Sequence, residues 1–428
     1  MRKKLTFSVI VLIFLSISIF SQNILNFVPK DSKGVFYFSN LADTYGDLKT
    51  VPTIKSLLLE PFNGELLVSV LIQMYFNTVK IDYNSFLSEF QNDLVVFIQE
   101  PKEDDYSFGF VIGPVKDPQS LSTNLNNILN NFTNNSSFNF IPIYENVENS
   151  KYLIMVQNTE LYSSSQKGIE NFEENLSKNN GLLYKLNTSD YQGEGYFYVD
   201  EGLLIGGGSG SVDPTSIDKS FINTPDKYNY VSPIFLTSGF IPKDVSFISD
   251  IINNFVDYEI IENLLSLSSG VEFSGNFLNT SEGIYLKLKT EAKIDEVIPI
   301  LQGQSIKYKK IDSNNLEFYI EKQITNQQNR KETVKQTYYI WKANEFMLLS
   351  NKKENDLQKF LSTQPKLSDD PLFKGLSEKI GIGNVSYIFV DIAPIFKQYV
   401  PNIRGEYGLL INISSDEEGK LTTKFIVK

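Results

Sequence analysis

The segment FVPKD at 27–31 returns as FIPKD at 240–244, and five further echoes follow in the same order. VFYFSNL from Val35 parallels VSFISDI from Val245. The run from Asp82 (DYNSFLSEFQNDLVVFI) parallels that from Asp257 (DYEIIENLLSLSSGVEF). GFVIGPVKDPQSL from Gly109 parallels GIYLKLKTEAKID from Gly283, YLIMVQN from Tyr152 parallels YYIWKAN from Tyr338, and YFYVD at 196–200 parallels YIFVD at 387–391. Any one of these is weak, but six in one order predict two copies of a single module. So long a period belongs to tandem domains rather than to solenoid units. The expected division is a first repeat over 24–205, a Gly/Ser/polar linker over 206–235 and a second repeat over 236–428. The extra length of the first copy falls between its first strand and Asp82, where VPTIKSLLLEPFNGELLVSVLIQMYF predicts two helices.

Within each copy, short runs rich in β-branched and aromatic residues, such as GVFYFSNL, DLVVFIQE, KYLIMVQN and EGYFYVD, read as strands. Leu121, Leu125, Ile128 and Leu129 recur at helical spacing behind an Asp117 cap and Pro118. DDPLFKGLSEKIG opens the same way, with Asp370 and Pro371, and stops at Gly381. SSQK at 164–167 reads as the opening of an amphipathic helix carrying Ile169, Phe172 and Leu176 on one face. Strands often succeed one another directly, so the expected class is α+β: two tandem copies of a module with an antiparallel (mixed) β-sheet packed by helices.

The first residues, MRKKLTFSVIVLIFLSISIF, place three basic residues before an apolar run and then small polar ones, the layout of a signal peptide over 1–21. Cleavage is expected after Ser21, with Ser18 as the alternative and an uncleaved membrane anchor as the remaining reading. The expected location is therefore extracytoplasmic, in the periplasm or at the cell surface. ELLVSVLIQMYF at 65–76 is too short to span a bilayer and reads as a buried helix. Losing Arg2, Lys3 and Lys4 takes the net charge from −12 to −15. That sign opposes nucleic acid and anionic lipid as partners.

The chain has no cysteine and no histidine. Disulfides, Cys–His and Ser–His–Asp nucleophilic sites are excluded, and so are nearly all zinc, copper, haem and iron–sulfur centres. No cofactor is expected. Carboxylate pairs, Ser–Lys pairs, tyrosine and oxygen-ligated cations remain. The glycine run GLLIGGGSGSVDP at 202–214 lacks the lysine of a phosphate loop and has Ser211 where a dinucleotide loop needs glycine, so it reads as a bend leaving the first repeat. The acidic groups at 103–105 and 416–418 lack the alternation of a calcium loop and read as turns. Weak candidates for a shared structural or binding role are the matched pair Asp200 and Asp391, each following a YxxVD-like strand. Lys30 and Asp31 behind Pro29, matched by Lys243 and Asp244 behind Pro242, are candidates for the same kind of role. For Asp200 and Asp391, capping of the next turn or helix is the simpler reading.

The Pro-Lys-Asp opening, the LSDDPLFKGL helix start and the following SYIFVDIAPIF resemble the exported bacterial family of domain of unknown function 3352. The match is best over 365–400 and extends loosely over most of the chain. The resemblance implies an envelope or secreted location and supplies no catalytic residues. The functional expectation is a non-catalytic scaffold or interaction module that binds an envelope protein. One alternative is a carrier of an apolar ligand such as lipid, held by the helices at 53–77. The other is a carboxylate-based hydrolase.

Overall fold

The computed structural model describes residues 24–90, 92–102, 105–132, 139–144, 150–169, 181–187, 192–211, 225–229, 235–240, 263–275, 284–325, 331–353, 355, 359, 361–417 and 420–428. The predicted signal segment lies outside them, and so do Lys243 and Asp244. The chain divides into two compact units, Met1–Ser211 with Val427–Lys428, and Val212–Ile426. Both are α+β.

The first unit contains strands β1 (Gly34–Phe38), β2 (Asp93–Lys102), β3 (Asp105–Gly113), β4 (Asn139–Tyr144), β5 (Lys151–Val156), β6 (Gly181–Asn187), β7 (Gln192–Asp200) and β8 (Leu203–Ser211). They form one antiparallel sheet in the order β4-β5-β3-β2-β1-β6-β7-β8. Its helices are α1 (Leu41–Leu48), α2 (Pro52–Leu58), α3 (Gly64–Val79), α4 (Tyr83–Leu87), α5 (Pro118–Phe132) and α6 (Thr159–Ser164). Successive side chains along a strand leave by opposite faces. Leu94, Val96, Phe110, Ile112, Leu153 and Met155 therefore meet Phe76, Phe86 and α5 on one face. Val95, Phe97, Val111, Tyr152 and Ile154 meet Ile24, Leu25, Val28 and Tyr162 on the other. Burial on both faces is why the central strands are apolar throughout rather than alternating. The cap of α5 is as expected: Asp117 Oδ1 accepts from the backbone N–H of Gln119 (3.1 Å) and Ser120 (3.3 Å).

The second unit contains β9 (Phe235–Phe240), β10 (Gly270–Gly275), β11 (Ile284–Lys289), β12 (Lys307–Lys310), β13 (Asn315–Thr325), β14 (Lys331–Ala343), β15 (Phe346–Ser350), β16 (Ser386–Asp391), β17 (Gly408–Ser415) and β18 (Lys420–Val427). Antiparallel pairing runs β12-β13-β14-β15-β11-β10-β9-β16-β17. Helix α7 (Ile294–Gly303) covers one face through Ile294, Val297 and Leu301. Helices α8 (Pro371–Ile380) and α9 (Ala393–Tyr399) flank β16 in the chain. Asp370 caps α8 by accepting from Phe373 N (2.9 Å), and Gly381 follows it at φ 80°.

The two units share one connectivity. The stretch β4-β5-β3-β2-β1-β6-β7 of the first has the same chain order and neighbours as β14-β15-β11-β10-β9-β16-β17 of the second, with the β12–β13 hairpin as an addition. The sequence echoes track this only in part. The Asp82/Asp257 and Gly109/Gly283 runs fall on equivalent elements, β2 with β10, and β3–α5 with β11–α7. The Tyr152/Tyr338 echo pairs β5 with β14, whose counterpart is β4, and YFYVD/YIFVD pairs β7 with β16, whose counterpart is β6.

Three expectations are corrected. The linker does not begin at 206. Gly206, Gly207 and Gly208 lie inside β8, opposite Phe197, Tyr196 and Gly195. The bend is instead at Glu201 (φ 48°) and Gly202 (φ 76°), a two-residue hairpin turn between β7 and β8. The glycines serve close packing, since a Cβ on Gly195 or Gly208 would meet the Tyr184 side chain at 2.5 and 2.7 Å. Nor does SSQK open a helix within the described residues, which break off after Ile169 and leave Phe172 and Leu176 outside them. Lys167 makes an isolated antiparallel bridge with Pro29, and Gly168 N donates to Val28 O (2.9 Å). Lastly, the matching of Lys30 and Asp31 with Lys243 and Asp244 does not hold. Lys30 and Asp31 precede β1, whereas Lys243 and Asp244 come after β9, the counterpart of β1. The strand that FIPKD was expected to open, from Val245, lies outside the described residues.

Candidate interaction face and the predicted site residues

Helix α3 is largely apolar: among Leu66–Val79 there is no charged residue, and its polar positions are Ser69, Gln73, Asn77 and Thr78. Its inner face is held firmly. Phe76 is fully buried, edge-on to Phe86 (centroids 4.9 Å apart) and Tyr83 (5.7 Å), and Tyr75 Oη donates to Ile128 O (3.2 Å). Its start is fixed by an ion pair, Lys49 Nζ to Glu65 Oε1 at 2.8 Å. Burial and the Glu65 carboxylate together push the Tyr45 hydroxyl far up from its ordinary value, so this corner stays neutral at Tyr45. Lys80, in the left-handed region, ends the helix by donating to Phe76 O and Asn77 O.

The outer face is bare. Leu66, Leu67, Leu71 and Met74 are 58–64 % exposed and Val70 is 44 % exposed, with Leu57 of α2 at 45 %. Positions 66/67, 70/71 and 74 make one stripe along the helix axis. Two of its polar neighbours are spent on the helix's own carbonyls, Ser69 Oγ donating to Leu66 O (3.0 Å) and Thr78 Oγ1 to Met74 O (3.0 Å), while Gln73 and Asn77 are exposed beside it. The reading of 65–76 as a buried helix is therefore half wrong. A helix with more apolar positions than its core uses has a second apolar face to spare. Scattered exposed apolar side chains need no explanation, but a contiguous stripe marks an interaction surface.

The predicted site residues go elsewhere. Lys30 and Asp31 sit in the turn before β1. The Asp31 carboxylate accepts from Ser165 Oγ (3.1 Å) and Gln99 Nε2 (3.4 Å), so it pins the 165–168 segment to the sheet. Lys243 and Asp244 lie outside the described residues, beyond the end of β9, and join no site with Lys30 and Asp31 by equivalence of position. Asp200 ends β7 at the hairpin turn and is exposed. Asp391 ends β16 and accepts from Ala393 N (3.0 Å), capping α9. The capping reading holds for Asp391. The matching of Asp200 with Asp391 does not, because their strands occupy different places in their sheets.

Burial, with Asp370 nearby, raises the Asp391 carboxyl above its ordinary value, against the opposing pull of Ala393 N–H and Lys397. A carboxyl raised on folding stabilises the fold below its ordinary pKa of 3.8, and that contribution is lost as pH rises through the folded value. Asn keeps the acceptor for Ala393 without the charge. Asp391→Asn is therefore expected to melt no lower than the parent at pH 7, with the difference closing below about pH 4. An equal loss of stability at both pH values in thermal melts contradicts this.

The second unit holds a buried polar cluster that sequence reading missed. Glu272 of β10 is 4 % exposed and lies 3.9 Å from Lys287 Nζ on β11. Tyr285, Tyr387 and Tyr228 surround it, and burial followed by the Glu272 charge drives all three hydroxyls well above their ordinary value. Tyr228 Oη donates to Phe273 O (2.6 Å). The group is closely hydrogen-bonded, which suits a structural network. Among the described residues, no three Asp, Glu, His or Cys side chains gather as cation ligands, and no helix is long and apolar enough to cross a membrane.

Comparison with known proteins adds little to this geometry. No family model and no curated protein matches the chain. One solved structure, crystal form III of TP0453, aligns with 50% of this chain and 79% of its own at 10% identity and a TM-score of 0.25, too slight a likeness to carry an argument.

Proposed function

We propose that the protein is a non-catalytic module of the bacterial cell envelope that rests on a neutral lipid surface through the outer stripe of α3. The observation that carries this reading is the uncharged row Leu66, Leu67, Val70, Leu71 and Met74 on the solvent side of a firmly seated helix. Protein interfaces gain their affinity from aromatic and arginine side chains and carry about one hydrogen bond per 100–200 Å². Beside the exposed Gln73 and Asn77, this stripe has no aromatic residue and no arginine, and the Ser69 and Thr78 hydroxyls are spent on the helix's own carbonyls. Hydrocarbon asks for none of these. Covering the exposed remainder of such side chains is worth about 1–2 kcal/mol each. The basic-then-apolar N-terminus and the resemblance to the domain of unknown function 3352 family support an envelope location, and the missing histidine and cysteine support the non-catalytic part. The net charge of −12 favours zwitterionic over anionic lipid.

The test is flotation of residues 24–428 with phosphatidylcholine vesicles. The parent is expected to float with them, and Leu67→Asp/Leu71→Asp to lose on the order of tenfold or more in partitioning with an unchanged melting temperature. A parent that stays with the soluble fraction overturns the reading. So does a parent that dimerises through these residues by analytical ultracentrifugation without binding vesicles.

A further inference from the structure

The turn that carries the FVPKD motif builds something α3 does not use. Between that turn, the start of β1 and the end of β6 lies a pocket of about 340 Å³. Lys30, Lys33 and Lys185 line it with Ser32 and Asn187, and Val35 contributes an apolar wall. Among the described residues no acidic one lines it, in a chain with 51 Asp and Glu against 39 Lys and Arg. The walls are held by the backbone: Lys33 N donates to Ile98 O (2.8 Å), Asn187 N to Lys33 O (2.6 Å) and Lys30 N to Gln166 O (2.7 Å). Ser32 Oγ is sealed from solvent and has no hydrogen-bond partner among the described residues.

The described carboxylates nearby are turned elsewhere. Asp31 bonds Ser165 and Gln99. Glu194, opposite Lys185 in the β6–β7 register, is exposed, and among the described residues it forms no ion pair with Lys185. A neighbouring cation, Lys167, is spent on the carbonyls of Tyr162 and Ser165 and takes no part.

We infer that this pocket binds a small phosphorylated molecule, whose phosphate is held by Lys33 and Lys185. Ammonium groups that line one pocket serve as point charges for phosphate. The volume is at the lower end for a ligand site, room for a phosphate and a few further heavy atoms against Val35. The phosphate can come from a free metabolite or a lipid headgroup.

Calorimetric titration of residues 24–428 with inorganic phosphate, glycerol 3-phosphate and glycerol separates these cases, together with flotation on phosphatidylcholine vesicles with and without phosphatidic acid. Glycerol 3-phosphate is expected to bind, glycerol not, and affinity to fall with added salt. Lys33→Gln or Lys185→Gln alone is expected to weaken binding about tenfold. Enhanced flotation by phosphatidic acid that Lys33→Gln/Lys185→Gln removes assigns the headgroup as source, and its absence with retained glycerol 3-phosphate binding assigns the free molecule. If none of the phosphate probes binds, or binding survives in the double variant, the inference falls.

Discussion

Tyr228→Ala is expected to destabilise the second unit by about 4 kcal/mol, the usual size for emptying a fully buried aromatic site. For a unit of this size that lowers the melting temperature by about 10 °C or more. Tyr228 is 1 % exposed and lies in the 225–229 strap, which is tied down by Leu367 N to Tyr228 O (2.9 Å), Ser368 N to Pro225 O (3.1 Å) and Asn229 Nδ2 to Gln364 O (2.8 Å). Removing the ring opens a cavity beside Glu272 and leaves Phe273 O without its 2.6 Å donor. Tyr228→Phe separates the two effects, since it keeps the volume and loses the hydroxyl, for about 1–2 kcal/mol.

The alkaline limb supplies a second reading of the same residue. Its hydroxyl is raised well above 10 on folding, chiefly by burial and then by Glu272. The stability this contributes is complete below pH 10, and it drains away as the unfolded chain ionises above that value. The parent therefore loses more stability than Tyr228→Phe between pH 9 and 11, and the gap between them narrows. Urea titrations across that range check this. A gap that widens with pH contradicts a neutral buried hydroxyl.

Local signals were the ones the sequence expressed clearly. Asp117-Pro118 and Asp370-Pro371 each open a helix because a carboxylate one turn ahead satisfies free N–H groups, a rule confined to four residues. Strand content and the α+β class were legible for the same reason. What failed required knowledge of a partner. YFYVD and YIFVD share a period-2 pattern, but pairing decides which neighbour each takes, and letters repeat among strands of one fold. FVPKD and FIPKD differ in the same way: one stands ahead of β1 and the other runs off the end of β9, so Asp31 and Asp244 share letters without sharing a place. Residues 65–76 look buried because nearly all of them are apolar, yet of these only Ile72, Tyr75 and Phe76 join the described core. Lys33 and Lys185 are 152 positions apart, and only the β1–β6 pairing that sets Val35 opposite Lys185 places both at one pocket.

The glycine run is the sharpest case, and it yields the second large effect. Read along the chain, GGGSG signals a bend. Read across the sheet, it is a strip without side chains that lets Tyr184 lie over β7 and β8. Gly195→Ala places a Cβ 2.5 Å from Gly207 O and 2.5–2.6 Å from the Tyr184 ring. The backbone oxygen sits within the β7–β8 ladder and has nowhere to move, so the strands must part. About 3 kcal/mol is expected, the upper range for overpacking. Gly208→Ala meets the flexible end of Tyr184 at 2.7 Å and Glu194 O at 3.0 Å, and ranks below it. At Gly210→Ala the nearest atom is Gln192 O at 3.4 Å, an ordinary contact, and stability is expected to be unchanged or slightly higher. Urea unfolding of the three variants should rank them in that order. Equal effects at 195 and 210 would mean that chain flexibility, not the space Tyr184 occupies, is what these glycines provide.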